Sequence, residues 1–498
     1  MIVTVNGKNI SIGGEQPLSE VVRAEKPCGG HGRCGKCKII ARGAVSELTD
    51  AEKTLLTYDE LEMGVRLACM TYAMGDCEIE AFEKSEHGQI VADVKLPEFE
   101  KAPIFERYGV AIDVGTTTLV AGLYDRNGIL LGQASRLNPQ REWGADVVSR
   151  IEASMGGSAQ ELERSIRRAI DCMITELSDA ASINSKDIES VVITGNTVML
   201  SLLTKESAEP FSHAPFDVKR LFGETMTARE LDLLCLREDA PVYLPPCISA
   251  FVGADITCAI IATELCDKDD PSMLVDIGTN GEMALWHGGK LTVCSTAAGP
   301  AFEGVGISMG MRGSDGAIDK VWLSENELSV HVIGDKAPKG ICGSGIVDAI
   351  ACMLESDVLD ETGYLEGDRF EISGDVSVTD KDIRMLQLAK SAVCAGLLTL
   401  CKEENINPSQ VAMLYIAGGF GNYLNRENAA RIGLLPRALA EGSVTVGNAA
   451  LAGASMLLLC KDLWLRAEEI AKSAKVLELS AHPSFTEYFI SGMMLEER

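Results

Sequence analysis

No apolar run in this 498-residue chain is long enough to cross a bilayer; the longest, LAGASMLLLC at 451–460, is about half of what a membrane helix needs. The opening residues, MIVTVNGKNISI, lack the basic start and apolar core of a secretory leader. Both absences predict a cytoplasmic protein with no membrane partner. Basic charge is also scarce, with 45 Lys and Arg against 73 Asp and Glu and a net charge of −28. A surface so acidic repels phosphate backbones, which excludes nucleic acid as a partner and leaves room for a protein with a basic face. Regular cysteine spacing is missing from most of the chain. Of the sixteen cysteines, all but Cys28, Cys34, Cys37 and Cys69 are scattered, as buried thiols of a reducing compartment would be.

Those four lie in a segment with its own texture. Apolar residues alternate around Asn6-Gly7, a pair suited to a two-residue hairpin turn. LSEVVRAEK has helical spacing, and TDAEKTLL opens a second helix with Thr49 or Asp50 as its cap. Between them lies CGGHGRCGKC (28–37), and the segment closes on the alternating DCEIEAF. This reads as a small β-grasp module, residues 1–84, with an open cysteine loop.

Four thiolates satisfy the two irons of a 2Fe–2S cluster. Glycines interleaved among them let the chain curl and aim backbone N–H groups at sulfur. The spacing C-x5-C-x2-C, then 31 residues, then C resembles the adrenodoxin-like variant of the ferredoxin signature. A four-cysteine zinc site usually shows two C-x2-C knuckles, and one is present. The C-x2-C-x2-C run of a 4Fe–4S site is absent, and a Rieske centre needs two histidines where His31 stands alone. His31 reads as a solvated loop residue and Cys77 as core.

Charged residues with two prolines and no sustained period follow, an extended connector at 85–107. Beyond it the chain repeats itself. VAIDVGTTTLVAGLYDRNGILL (110–131) matches MLVDIGTNGEMALWHGGKLTV (273–293), aligning Asp113 with Asp276, Gly115 with Gly278 and Thr116 with Thr279. VVITGNTVMLSLL (191–203) matches MLYIAGGFGNYL (413–424), each an apolar strand, a small-residue turn and a helix-like run. Two copies in the same order predict two α/β lobes, 108–270 and 271–498, facing each other across a cleft. The longer interval in the second copy places an insertion within 315–385.

Such a cleft handles phosphate. Tight glycine turns expose consecutive N–H groups, and threonine hydroxyls add donors. Each strand-end aspartate, Asp113 and Asp276, can hold Mg²⁺ through water or position an attacking water. AGGFG (417–421) lets a nucleotide approach the backbone closely. Two further glycine-rich segments, AAGPAFEGVGISMGMRGSDGAI (297–318) and GICGSGIVDAI (340–350), line that site, transmit its state or serve as structural turns. Glu303 is the acidic side chain in the first, and Cys342 in the second reads as a small buried residue.

The duplicated pattern resembles the superfamily of actin, sugar kinases and heat-shock chaperone ATPases (ASKHA). That resemblance implies an ATP site. Its first phosphate motif (113–118) carries Gly115, Thr116 and Thr117. Its second (276–282) carries Gly278, Thr279, Asn280 and Gly281. Its adenosine motif (416–421) carries Gly418, Gly419, Phe420 and Gly421. Gly195, Asn196 and Glu303 are further candidates, and NAALAGASML (448–457) resembles the second connecting helix.

The whole chain resembles the reductive activators of corrinoid proteins, on CGGHGRCGKC with Cys69, IDVGTTT, ITGNTVML, VDIGTNGE, GPAFEG, CGSGI and AGGFGNYL. The resemblance implies ATP-dependent, one-electron reduction of an inactive Co(II) corrinoid protein to Co(I), reactivating a methyltransferase system. It also implies a homodimer fed by a low-potential electron donor. An uphill transfer of about 200 mV costs roughly 4.6 kcal/mol per electron, a size that ATP can supply. Longer members carry an extra domain after the connector, and 85–107 leaves no room for one, so a form without a middle domain is expected. Two other functions fit the same parts: a small-molecule kinase with a regulatory cluster, and a redox-gated chaperone-like binding protein.

Overall fold

The computed structural model describes residues 1–13, 16–22, 28–33, 35–81, 96–325 and 327–498. Cys34 and residues 85–95 of the expected connector lie outside the described residues.

The N-terminal segment builds one five-stranded sheet. Strands β1 (Ile2–Val5) and β2 (Lys8–Ser11) form the expected hairpin, with Val5 opposite Lys8. Asn6 and Gly7 both take positive φ, as a type I′ turn demands. Helix α1 (Leu18–Val21) precedes the cysteine loop, and β3 (Lys38–Val45) leaves it. Helices α2 (Asp50–Leu55) and α3 (Tyr58–Glu62) lead to β4 (Val65–Leu67) and β5 (Ala73–Ala81). The sheet order is β2-β1-β5-β3-β4, with β5 parallel to β1 and antiparallel to β3. Thr49 caps α2 in a reciprocal box with Glu52. One compact unit takes in the described part of Met1–Glu86 together with Leu137–Ala169 and Ser201–Phe216.

The second unit, His87–Arg136, Ile170–Leu200 and Asp217–Arg498, holds the repeat. Its first sheet contains β6 (Tyr108–Val114), β7 (Thr118–Asp125), β8 (Leu130–Leu137), β9 (Ile188–Gly195), β10 (Glu224–Thr227) and β11 (Pro241–Leu244). Helices α4 (Val147–Ala153) and α5 (Ala159–Ala180) lie between β8 and β9. Helix α6 (Thr197–Leu203) follows β9, and α7 (Ala254–Ala262) follows β11. The order is β10-β11-β9-β6-β7-β8.

The second sheet starts with β12 (Ser272–Ile277), β13 (Gly281–His287) and β14 (Lys290–Thr296). The insertion follows: β15 (Ala317–Ser324), β16 (Glu327–Val332), β17 (Gly340–Ile341), α8 (Gly343–Glu355) and the hairpin β18 (Arg369–Ser373) with β19 (Val376–Thr379). Then come α9 (Asp380–Glu403), β20 (Met413–Ala417), α10 (Arg426–Arg431), α11 (Arg437–Glu441), β21 (Ser443–Gly447) and α12 (Ala449–Leu459). The chain finishes with α13 (Asp462–Ser473), β22 (Lys475–Val476) and α14 (Pro483–Ser491). The order is β21-β20-β12-β13-β14-β22, whose first five strands repeat β11-β9-β6-β7-β8. In both sheets the first strand pairs antiparallel with the second and parallel with the strand that follows the long crossover.

The register repeats as well. Asp113 pairs with Thr194 near the end of β6, and Asp276 with Ala417 near the end of β12. Side chains from both sheets, among them Ala111, Val192, Leu274 and Ala284, share a core with α7 and α12. Residues 96–107 of the expected connector are docked on that core. Phe105 is buried, Leu96, Phe99 and Ile104 pack beside it, and the Ala102 N–H donates to Leu459 O at 2.8 Å. Helix α9 is long and apolar enough to cross a membrane, but 78% of its apolar window is buried inside the protein, as in a core helix.

Candidate functional site

The cysteine loop is tied down by a buried ion pair. Arg66 Nε lies 2.8 Å from Glu52 Oε1, and that same oxygen accepts from Leu67 N–H and Thr71 Oγ1. Burial pushes the Glu52 carboxyl up, but Arg66 and the N–H groups of Thr49 and Leu67 outweigh it and hold it at about 2. The turn carrying Cys69 is thereby fixed to α2. Ala68 N–H donates to Cys37 O at 2.8 Å, which brings the two cysteine backbones together.

Cys37 and Cys69 are buried with their sulfurs 3.3 Å apart. Their contact holds the Cys37 thiol down to about 7 and pushes Cys69 up, so the pair releases one proton readily and keeps the other. The backbone at Gly32 favours the Cys69 thiolate, the backbone at Cys69 favours the Cys37 thiolate, and the charge of Cys28 is felt by both. Gly29, Gly30, Gly32 and Gly35 all take positive φ, the curl that points N–H groups inward. Two predicted ligands, Cys37 and Cys69, are thus in contact and a third, Cys28, acts on both through its charge, although among the described residues no three cysteines close into a metal-binding group. The fourth, Cys34, is outside the described residues. His31 is exposed, 3.8 Å from Glu152 Oε2. Cys77 is buried in the core of the sheet, where desolvation raises its thiol.

The second site lies at the ends of β6 and β12. Gly115 N–H donates to Thr118 O at 3.0 Å, closing the first tight turn. Thr116 Oγ1 accepts from Asn196 Nδ2 at 3.0 Å, so the turn after β9 braces the turn after β6. Thr117 is half-buried at the tip. In the second copy Gly278 N–H donates to Asn280 O, and Thr279 Oγ1 donates to Glu303 Oε1 at 2.7 Å. Asn280 Nδ2 reaches Glu282 Oε1 at 3.4 Å, and Gly281 begins β13.

Gly418 takes φ +94°, and a Cβ there would lie 2.7 Å from Asp276 Oδ1; a side chain would displace that carboxylate. Gly419 is exposed with open space around it, free for a base to approach. Gly421 opens a single 3₁₀ turn, Gly421–Tyr423, not the longer helix that the match to 191–203 predicts. Phe420 stacks on Phe302 with ring centroids 4.7 Å apart. Gly343 fits against both, since a Cβ there would meet Phe302 O at 2.0 Å. GPAFEG, CGSGI and AGGFG therefore meet beside the site, and the CGSGI glycine is a close-packing position. Cys342 is buried, 3.3 Å from Ser344 Oγ.

Carboxylates dominate this point, and sequence reasoning missed two of them. Burial pushes Asp113 up to about 6 against the hydrogen bond from Asn448 Nδ2 (2.8 Å). Burial, then the charges of Asp113 and Glu303, push Asp276 to about 7. Asp255, at the head of α7, is pushed to about 8 by burial and by Asp113 and Asp276. Glu282 is raised by burial, Asp255 and Asp276. The signal for Asp255 is a third repeated pair: VGAD (252–255) before α7 parallels VGNA (446–449) before α12. Asp113 is thus raised by burial alone, whereas Asp255, Asp276 and Glu282 are raised by burial together with neighbouring carboxylates. Among the described residues no three acidic, histidine or cysteine side chains are grouped as a bare metal-binding set.

Residues 270–498 match the family model described as the C-terminal domain of RACo, the ASKHA domain, and 108–268 match the one described as the RACo middle region. The corrinoid activation enzyme RamQ of Eubacterium limosum is 35% identical over 419 residues, which cover 78% of this chain and 70% of that protein. The chain belongs to the family of corrinoid activation enzymes. A second relative of this activator is the [Co(II) methylated amine-specific corrinoid protein] reductase of Methanosarcina barkeri, 26% identical over 435 residues and covering 78% of each chain. A solved structure of a reductive activator for a corrinoid, iron–sulfur protein superposes at TM-score 0.74 and 27% identity, covering 100% of the activator and 98% of that chain. The region its family calls the middle one is present here, where the sequence reading expects a chain without a middle domain. It coincides with the first sheet and its helices.

Proposed function

We propose that this activator couples ATP to the delivery of single electrons to the Co(II) centre of a corrinoid protein, returning it to Co(I) for methyl transfer. What carries the reading is the extent of the likeness: a reductive activator matches the whole chain, cysteine module and duplicated body alike.

In this reading residues 1–84 are a 2Fe–2S ferredoxin module, supported by the sheet order and by the thiols of Cys28, Cys37 and Cys69, with Cys34 as the fourth ligand. The cluster, when bound, supplies one-electron transfer at low potential. The backbone at Gly32 and at Cys69 favours the thiolate form of the ligand sulfurs. In the body, the turns at Gly115–Thr117 and Gly278–Gly281 offer N–H and hydroxyl donors to phosphate oxygens. Asp113 and Asp276 hold Mg²⁺ through water, and Gly418 and Gly419 leave room for the adenosine. A low-potential donor, a cytoplasmic setting and a homodimer complete the proposal.

The test mixes pre-reduced activator, Mg²⁺, ATP and a Co(II) corrinoid protein under anaerobic conditions and follows the cobalt spectrum. A Co(I) band that needs ATP is the expected result. No such band with the corrinoid proteins of several methyltransferase systems would sink the proposal. Replacing Cys37 by Ser should bleach the preparation and stop reduction while sparing ATP binding.

A further inference from the structure

The carboxylate centre presents a charge problem. Asp113, Asp255, Asp276, Glu282 and Glu303 meet there, and the charges that raise Asp255, Asp276 and Glu282 belong to one another, to Asp113 or to Glu303. A polyphosphate entering such a site needs positive charge beyond one divalent cation.

One arginine is placed to give it. Gly304, next to Glu303, lies directly on the backbone of Met311, since a Cβ on Gly304 would fall 2.5 Å from Met311 O. On its other side, Met311 N–H donates to Ile341 O and Ile341 N–H to Met309 O, both at 2.9 Å. The backbone before Arg312 is thus clamped between the residue after Glu303 and strand β17. Arg312 is half-buried, yet its guanidinium makes no hydrogen bond or ion pair with a described residue. The charge that acts on it is that of Glu303, whose Oε1 accepts from Thr279 and whose Oε2 is buried without a partner among the described residues. A half-buried guanidinium with five unused donors is costly unless a ligand takes them.

We propose that Arg312 is a phosphate ligand of the nucleotide site, reaching the phosphate chain beside the Gly278–Gly281 turn. The inference rests on the nucleotide-cleft reading and adds to it the side chain that offsets the carboxylates. Arginine suits the task because its planar fork grips phosphate oxygens in pairs and stays charged when buried.

Calorimetric titration of the full-length protein with Mg²⁺-ATP, and separately with adenosine, tests both levels. If the native protein binds neither, the cleft reading fails and Arg312 falls with it. With binding established, Arg312→Ala should weaken ATP about ten- to hundredfold, the range for a lost hydrogen bond to a charged group, while adenosine affinity stays unchanged. Arg312→Lys should recover part of the loss, and the deficit should shrink at high salt. An ATP affinity equal to the native one, or an equal loss for ATP and adenosine, overturns the proposal. Should Arg312→Ala lower the unfolding temperature, Arg312→Gln, which keeps the apolar stem, is judged by the same ATP-to-adenosine ratio.

Discussion

The two halves of the duplicated body share strands and differ in what they hang on them. In the first, the turn after β6 is braced by a neutral amide, Asn196 to Thr116, and Asp113 is tied by Asn448. In the second, the matching turn is braced by a carboxylate, Glu303 to Thr279, and Asp276 has other carboxylates for neighbours. Matching backbone positions thus carry aspartates raised for different reasons, burial alone at Asp113 and burial with neighbouring carboxylates at Asp276. The first half is finished without a ligand. The second is short of positive charge, and Arg312, on the segment that leads from Glu303 into the insertion, lies on that side.

The comparison breaks most severely at the aspartates themselves. Asp276→Ala should cut ATP-dependent reduction by about a hundredfold or more, the scale for losing a charge-stabilising group in an active site. Asp113→Ala should do the same, because Mg²⁺ needs both sides; the cobalt assay reads both variants. Pre-reduced protein should keep its colour in each. A variant retaining full activity would show that only one copy of the turn is in use.

Acidity gives a finer test. Ordinary aspartates titrate near 4, so between about pH 4 and 8 the folded, ligand-free protein binds more protons here than the unfolded chain. The stability these groups contribute is present below about pH 4 and is lost as pH rises through 6 to 8. Thermal unfolding should therefore show a larger gain from Mg²⁺-ATP at pH 8 than at pH 6. Asp276→Asn should flatten that difference more than Asp113→Asn does.

The smallest effects belong to the braces. Asn196→Ala should cost about 1–3 kcal/mol of stability, the price of leaving buried groups unpaired. That cost should be the same with or without nucleotide. Glu303→Gln should change stability little and alter ATP affinity instead, since the amide still accepts from Thr279 but no longer repels phosphate. Denaturant unfolding alongside nucleotide titration separates the two.

Much of this was legible in the residues, wherever chemistry and local pattern coincide. The hairpin at Asn6-Gly7, the cap at Thr49, the paired D-x-G-T turns and the insertion all follow from neighbours in sequence. Asp255 was not, because its partners are 142 residues before it, Asp113, and 21 after, Asp276; only the fold brings them together. Residues 96–107 read as connector because Leu96, Phe99, Ile104 and Phe105 have no helical or strand period. They are nevertheless anchors, each filling a place on the α7–α12 core. Glu52 looked like an ordinary capping glutamate, and its second task, fastening the Cys69 turn through Arg66, depends on a strand fourteen residues away.

Where α12 passes α7, Gly453 rests on the backbone of Cys258, so closely that a Cβ would stand 1.9 Å from the carbonyl oxygen. Asn448 at the head of α12 meets Asp113 in the opposite lobe, and Asp255 stands at the head of α7. Each lobe therefore has a lever with an acid or its amide partner at the working end. The levers cross at bare backbone there, inside a core that their other side chains share.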